Sequence, residues 1–407
     1  MPTSHPETIR IGSAPEPDPA ALIDSRAGWP TVMATFLSTF TVFGVAYSFG
    51  AFFKPMADEF GSGRASTSFF FAITTFLYFA IGVFSGRIAD RIGPRRVLIV
   101  GAVCMVAGLL ATSQVDRLWL GYLTYALGVG MGVACAYVPM VAAVGGWFAV
   151  KRTTALGIAV AGIGVGTLVT APLAERLIER YGWRDTYVIL AVAAGVLLAL
   201  AAIGANRPPI TAAGPPVPIR QMLRGRTDFW VLYGACFLMT LVLFVPFVYL
   251  GDYLEERDID GSAGWLVGLI GICSVLGRLS FGAVARRVPL MSLYRGSFLV
   301  VGLSFGLWLI AGDSYAMLMV YAVVMGVAYG GFIALSPAVT ASIFGPMGLG
   351  GILGLLYTGA GIGGLVGPPL MGQLIDGFGY STTLIISGAL GVTSFGVLLA
   401  LRPQQPA

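Results

Sequence analysis

Long apolar runs separated by short polar segments make up most of this chain. A helix that crosses roughly 30 Å of hydrocarbon needs about 20 apolar residues, and twelve such runs can be placed along the sequence. The predicted spans cover approximately 29–54, 66–86, 97–114, 119–145, 153–174, 185–204, 229–254, 263–285, 291–312, 314–342, 350–374 and 380–401. The pattern predicts an all-α membrane protein with twelve transmembrane helices.

The polar segments between the runs divide the predicted molecule into two halves. Residues 205–228 are rich in proline and arginine and predict a cytoplasmic linker between a bundle at 28–204 and a second bundle at 229–402. Residues 1–27 are proline-rich and lack the basic start and apolar core of a cleaved signal peptide, so we expect a disordered cytoplasmic tail. A short tail is predicted at 403–407.

Composition and charge support the membrane assignment. The chain is 57% hydrophobic and only 11% charged, whereas a soluble domain carries roughly 25% charged residues. Cytoplasmic loops carry an excess of Lys and Arg, and sixteen of the 24 Lys and Arg residues lie in segments on the side of both termini, against seven on the other side. We therefore expect a multi-pass protein of the inner (plasma) membrane with both termini cytoplasmic. The net charge of +5 reflects this topology and does not indicate nucleic-acid binding.

Residues that would support enzymatic chemistry are scarce. The single histidine, His5, lies in the predicted tail. The four cysteines, Cys104, Cys135, Cys236 and Cys273, all fall inside predicted spans without the spacing of a zinc site or a disulfide framework. Because no nucleophile-base pair or metal cluster is evident, we expect neither an enzyme nor a cofactor.

The two halves share an internal repeat. At an offset of 197, the segment from Pro172 to Trp183 aligns with the segment from Pro369 to Tyr380, including Gly182 with Gly379. At an offset of 196, Gly86–Arg91 aligns with Gly282–Arg287. Repeats of this kind are a building plan of transporters, whose substrate site lies near the bilayer midplane between the repeats. The repeat predicts two pseudo-symmetric six-helix bundles.

One cation interrupts the apolar core of the second half. Arg278 lies alone in an otherwise uncharged stretch, Trp265–Ala285, and a charge at membrane depth costs about 2.5 to 3.5 kcal/mol even on insertion scales. Such a residue normally faces a wet cavity or a partner, so Arg278 is the leading candidate for binding an anion. Ser274 lies one helical turn before it and would face the same cavity. An alternative is that Arg278 pairs with helix carbonyls and locks two spans together.

The loop after the second span resembles a family signature. The segment GRIADRIGPRR, from Gly86 to Arg96, resembles the Gly-x-x-x-Asp-Arg-x-Gly-x-Arg-Arg loop of the major facilitator superfamily. The resemblance implies the major facilitator fold and a charge network at the gate that breaks and re-forms as the halves move. The implied gating residues are Gly86, Asp90, Arg91, Gly93, Arg95 and Arg96. The alternative is that the arginines only anchor the loop on the cytoplasmic side.

A second motif narrows the resemblance within that superfamily. The segment from Trp147 to Gly166, WFAVKRTTALGIAVAGIGVG, is similar to the signature of monocarboxylate transporters, and the similarity extends to the oxalate:formate antiporter branch. The resemblance implies that Arg278 is the substrate arginine and that Tyr137 and Tyr329 line the cavity. Tyr47 stands where animal members carry a lysine, and we include it among the substrate-binding candidates. Each tyrosine could instead fill a core.

The sequence also departs from that family. Ser274 replaces the aspartate one turn before the arginine, and the core of every predicted span lacks Asp and Glu. A single fixed cation favours a monoanion, because a second carboxylate would be buried unpaired. We expect small monocarboxylates such as lactate or pyruvate to be the substrate, carried by alternating access. Protons are candidate co-substrates that would travel with the anion, and anion exchange is the other coupling considered.

Two further functions remain open from the sequence. An exporter of larger amphiphilic compounds would use the aromatic-rich spans as an apolar cavity, and Arg278 would then be dispensable. A membrane sensor that only binds ligand would require a soluble signalling domain, for which neither the tail nor the linker is large enough. Glycine runs such as Gly359–Gly364 superficially resemble phosphate-binding loops, but close helix packing explains them better.

Overall fold

The computed structural model describes residues 22–209, 226–285, 287–345 and 349–401. Its secondary structure across these ranges is helical, without strands. The helices are α1 (Trp29–Tyr47), α2 (Phe49–Phe60), α3 (Arg64–Ile92), α4 (Pro94–Thr112), α5 (Leu118–Ala136), α6 (Val138–Trp147), α7 (Arg152–Gly204), α8 (Thr227–Leu243), α9 (Val245–Glu256), α10 (Ala263–Val284), α11 (Leu290–Ala311), α12 (Tyr315–Phe344) and α13 (Leu349–Leu399).

These helices supply the twelve predicted crossings. Ten helical segments in the described ranges are long and apolar enough to cross a membrane, and two of these, α7 and α13, each contain a reversal. Gly182 has φ 78° inside α7 and Gly379 has φ 76° inside α13. Glycine adopts positive φ at no steric cost, so one residue turns the chain where the sequence predicted longer loops. The two glycines are the pair aligned by the repeat.

Three of the crossings are broken near their middle. The breaks lie between α1 and α2 at Ser48, between α5 and α6 at Tyr137, and between α8 and α9 at Phe244. At the last two breaks a proline stands at the start of the following helix, Pro139 or Pro246. Proline has no backbone N–H and clashes with the preceding turn. The breaks place the side chains beside them at mid-depth.

The structure describes residues 22–27, which lie within the predicted tail. Asp24 accepts hydrogen bonds from the backbone N–H groups of Lys151, Val150 and Ala149. These bonds, with that of Lys151 the largest cause, hold the pKa of the Asp24 carboxyl below its usual value. The prediction of disorder up to residue 27 is therefore wrong for residues 22–27, while residues 1–21 lie outside the described ranges. Of the predicted linker, residues 210–225 also lie outside them.

Packing of the helices follows the internal repeat. In the first half α7 packs on α1 and α4, and α5 packs on α3 and α4; in the second half α13 packs on α8 and α11, and α12 packs on α10 and α11. Two extensive seams join the halves. We name them the α7/α10 seam and the α3/α13 seam. The internal repeat relates one seam to the other, because α3 corresponds to α10 and α7 corresponds to α13.

At one end of the bundle, charged side chains hold the halves together. Arg64 at the start of α3 donates to Asp252 of α9 at 2.6 Å, to Asp376 of α13 at 3.0 Å and to Glu256 of α9. We call this the Arg64 end and the opposite one the Asp90 end. Every ion pair found among the described residues lies at the Arg64 end, and Arg64 makes those that cross between halves.

A second polar contact closes the same end on the other seam. Glu175 of α7 accepts hydrogen bonds from the hydroxyl of Ser262 and from the backbone N–H of Gly264, at the start of α10. Both seams are therefore tied at the Arg64 end by groups that are polar or charged.

Candidate functional site

A cavity of about 370 Å³ lies between the two halves. It is lined at mid-depth by Tyr47, Ile163 and Thr240, and its lining continues to Arg87 and Gly351 at the Asp90 end. Since the Arg64 end is tied and the lining reaches the Asp90 end, the cavity is approached from the Asp90 end.

Aromatic rings from the first half form one wall. Phe43 stacks edge-to-face on Tyr137 with ring centroids 5.2 Å apart, and on Tyr78 at 6.1 Å. Tyr47 contacts Phe43 at 5.4 Å. Tyr137 sits at the break before Pro139, so its ring projects into the cavity and does not continue a helical face.

Rings from the second half face them. Phe244, Phe332 and Tyr357 line the cavity together with Tyr329. The hydroxyls of Tyr47 and Tyr329 lie 3.2 Å apart and form a hydrogen bond between the halves. The structure therefore brings the three predicted tyrosines, Tyr47, Tyr137 and Tyr329, to one cavity.

Arg278 lies beside this cavity and is not among the residues that line it. Its Nη1 donates to the carbonyl of Val160 in α7 at 3.0 Å, one turn from the lining residue Ile163. Its Nε and Nη2 are buried and have no hydrogen-bond acceptor among the described residues. The guanidinium lies within electrostatic range of the phenols of Tyr137 and Tyr329. The alternative in which Arg278 locks two helices together by bonding to carbonyls thus explains the contact of one of its three nitrogens.

Ser274 does not reach the cavity. Its side chain is fully buried, and its hydroxyl donates to the carbonyl of Gly271 in its own helix. A Cβ built on Gly330 of α12 would lie 2.0 Å from the Ser274 carbonyl, so α12 packs closely against this face of α10. The prediction that Ser274 faces the cavity with Arg278 is wrong in this conformation, because the small residues of this face serve helix packing.

The predicted gating residues lie at the Asp90 end without forming the expected network. Gly93 ends α3 with φ 93°, and Asp90, Arg91, Arg95 and Arg96 are exposed. Among the described residues none of these charged side chains makes an ion pair; instead, Arg207 donates to the backbone carbonyls of Asp90 and Arg91. Gly86 packs toward Val138 of α6. Among the residues that the structure describes, the second half provides no ion-pair partner for these charges.

Sequence reasoning missed two features of the site. Arg87, which counts in the sequence only as a topology signal, is exposed and lines the cavity near its mouth. Phe244 lines the cavity at mid-depth, and the sequence contains a pattern from which this residue could have been predicted. The triplets Tyr137-Val138-Pro139 and Phe244-Val245-Pro246 repeat an aromatic residue two positions before a mid-span proline, which marks a helix break with an aromatic residue at it.

Comparison with known proteins identifies the fold and the family. A family model described as Major Facilitator Superfamily matches residues 35–312 and 262–407. The chain is similar to the solved crystal structure of a mutant of the nucleoside transporter NupG, with a TM-score of 0.75 at 14% identity, over 92% of this chain and 99% of that one.

Curated relatives match over almost the whole length. Monocarboxylate transporter 13 of Rattus norvegicus is 30% identical over 93% of this chain and 90% of the relative. Monocarboxylate transporter 3 of Rattus norvegicus is 30% identical over 93% and 80%, and monocarboxylate transporter 4 of Mus musculus is 28% identical over 92% and 83%. The chain belongs to the major facilitator superfamily, in its monocarboxylate transporter family.

Proposed function

We propose that this protein is a secondary transporter that carries monocarboxylates across a membrane by alternating access. The names of its relatives support the substrate class. The observation that carries the proposal is the pair of buried guanidinium nitrogens of Arg278 that have no acceptor in the described part of the chain and lie beside the cavity tyrosines. A guanidinium presents parallel N–H donors that match the two oxygens of one carboxylate.

Charge balance favours a monoanion over a dianion. Among the described residues, Arg278 is the cation beside the cavity at mid-depth, and Arg87 lies several turns of helix nearer the mouth. A carboxylate at Arg278 satisfies the free donors, whereas a second carboxylate at the same depth would lie among rings without a cation, at a cost of several kcal/mol. Arg87 serves the entering anion by raising its local concentration at the mouth. The exporter alternative explains the cavity but not the fixed charge.

We assign the Asp90 end to the cytoplasm and the membrane to the plasma membrane. The support for this orientation is the Lys and Arg excess of the loops at that end. It follows that the described conformation is inward-facing, with the outer entrance closed by Arg64 and by Glu175.

Coupling is proposed to occur through the substrate. The aspartate that relatives carry before the arginine is Ser274 here, and its hydroxyl is engaged within its own helix. A proton would therefore travel on the carboxylic acid itself, or one anion would exchange for another. Uptake into proteoliposomes that ignores an imposed pH gradient and does not depend on internal carboxylate would contradict both modes.

The test of the proposal is substitution of Arg278. We expect Arg278→Gln to lower counterflow of radiolabelled monocarboxylates by about 100-fold or more, and Arg278→Lys to recover a small part, because a lysine keeps the charge but loses the paired donors. Arg257→Gln is the matched control, since Arg257 is exposed at the Arg64 end and its one ion pair with a described residue is with Asp313. Undiminished carboxylate counterflow by a well-folded Arg278→Gln protein would exclude the proposed site.

A further inference from the structure

The cavity is larger than a three-carbon acid requires. Its volume of about 370 Å³ falls in the range of about 300 to 1,000 Å³ typical of pockets for drug-sized ligands. Lactate and pyruvate each have six non-hydrogen atoms and would fill a small part of this space. Most of the lining would then contact water and not substrate.

The chemical character of the lining is uneven. The fixed charge lies near α7 and α12, where Arg278 approaches Tyr137 and Tyr329 and where Tyr329 meets Tyr47. Tyr78, Thr240 and Tyr357 add hydroxyl groups elsewhere in the lining. Across the cavity, along the α3/α13 seam, Phe79 and Tyr357 face each other from the two halves with ring centroids 5.9 Å apart. One side of the cavity is thus suited to a carboxylate and the opposite side to an apolar group.

The apolar side is built from aromatic rings that line the cavity. Aromatic rings prefer offset-stacked or edge-to-face neighbours at about 4.5 to 7 Å, and each such pair contributes about 0.5 to 1.5 kcal/mol beyond burial of area. Phe79, Phe244 and Tyr357 all line the cavity, so a ring placed among them gains several such contacts. A methyl group in the same place gains none of them.

Resting on the proposed function, we propose that the preferred substrates are monocarboxylates with an aromatic or similarly bulky apolar tail, such as aryl-substituted hydroxy or keto acids. The carboxylate binds the free donors of Arg278 at the α7 and α12 side, and the tail lies against the α3/α13 seam. Three-carbon acids bind at the same arginine with lower affinity, because they leave the aromatic side solvated.

The experiment compares matched pairs of acids in proteoliposomes. Counterflow is measured for lactate against 3-phenyllactate and for pyruvate against phenylpyruvate, with 3-phenyllactamide as an uncharged competitor. We expect kcat/KM for each aryl acid to exceed that of its three-carbon partner at least tenfold, and the amide to compete weakly. Equal or better transport of the three-carbon acids overturns this inference and leaves the proposed function intact. Absence of transport for every acid, together with binding of the amide, contradicts the proposed function itself.

A space-filling variant provides the second arm. Leu353 of α13 lines the cavity, and Leu353→Trp removes room for the tail on the α3/α13 side without touching the arginine. The expected result is at least a tenfold fall in the ratio of 3-phenyllactate to lactate transport. The matched control is Ile310→Trp, because Ile310 is 74% exposed on the outer face of α11, and its ratio should equal that of the unmodified protein. An unchanged ratio in Leu353→Trp would place the tail elsewhere and contradict the inference.

Discussion

The α7/α10 and α3/α13 seams occupy equivalent positions in the repeat but differ in packing. In the α7/α10 seam, a Cβ on Gly164 would lie 2.3 Å from the carbonyl oxygen of Gly271, so two backbones touch. At the equivalent position of the α3/α13 seam, a Cβ on Gly361 would lie 3.2 Å from Cβ of Phe79, so a side chain separates the helices at this level. Nearer the Arg64 end, a Cβ on Gly372 would lie 2.7 Å from the backbone nitrogen of Ala65. The repeat therefore relates the two seams, but their helices approach each other to different distances at this level.

The difference explains where a ligand can fit. Arg278 of α10 corresponds to Gly82 of α3 at the repeat offset, so the charge at this level has no equivalent on the α3/α13 seam. The tight seam holds the guanidinium against α7, and the looser seam provides the aromatic space. A pseudo-symmetric scaffold can thus bind an asymmetric molecule, with its charged group on one side and its apolar group on the other.

The largest effect on transport is expected from adding a methyl group at a glycine of the tighter seam, compared with the equivalent glycine of the looser seam. Gly164→Ala forces a methyl group against a backbone oxygen that cannot rotate away, and we expect loss of transport of about 100-fold or failure to fold. Gly361→Ala meets a contact that a shift of a few tenths of an ångström relieves, and we expect at least half of the activity to remain. Counterflow and thermal unfolding in detergent measure both variants. Equal tolerance of the two alanines would show that the seams do not differ as described.

A smaller effect is expected from the Arg64 end, which ties both halves across the α3/α13 seam. The Asp252 side chain is only 6% exposed, and removal of the partner of a buried carboxylate is destabilising. We expect Arg64→Gln to raise the population open at this end about tenfold. Spin labels on cysteines introduced at the exposed positions Asp116 and Asp260, in a background without native cysteines, report the distance between the halves.

Arg257→Gln is the control for Arg64, because the ion pair of Arg257 with Asp313 stays within one half. An unchanged distance distribution in Arg64→Gln would mean that apolar contacts alone close this end.

The smallest effect is expected from the hydrogen bond between Tyr47 and Tyr329. A neutral hydrogen bond contributes about 0.5 to 1.5 kcal/mol net. Tyr47→Phe should therefore shift the equilibrium between the closed and open states of the Arg64 end two- to tenfold without abolishing transport. Tyr122→Phe removes a hydrogen bond to Ser66 within the first half and should leave the label distances unchanged. If Tyr122→Phe changes the label distances as much as Tyr47→Phe does, the hydrogen bond between Tyr47 and Tyr329 has no specific effect on the contact between the halves.

The sequence alone determined the features that depend on local chemistry. Apolar length predicted twelve crossings, the repeat predicted two related bundles, and the loop and span-five motifs indicated the family that the comparisons confirm. The isolated charge of Arg278 was visible because a cation in an apolar span is costly wherever it faces. Tyr47, Tyr137 and Tyr329 could also be named from the sequence, although a resemblance was needed to select them from the 16 tyrosines.

Only the tertiary structure decided how these parts face one another. Ser274 lies one turn from Arg278 in sequence, yet close approach of α12 at Gly330 turns it into a packing residue. Arg87 is a topology signal in the sequence, and the opening at the Asp90 end makes it part of the cavity mouth. Helical periodicity fixes which residues share a face, but the angle and separation of packed helices decide whether that face meets a neighbour, lipid or a cavity. Those quantities depend on contacts between segments far apart in the chain, which no local pattern contains.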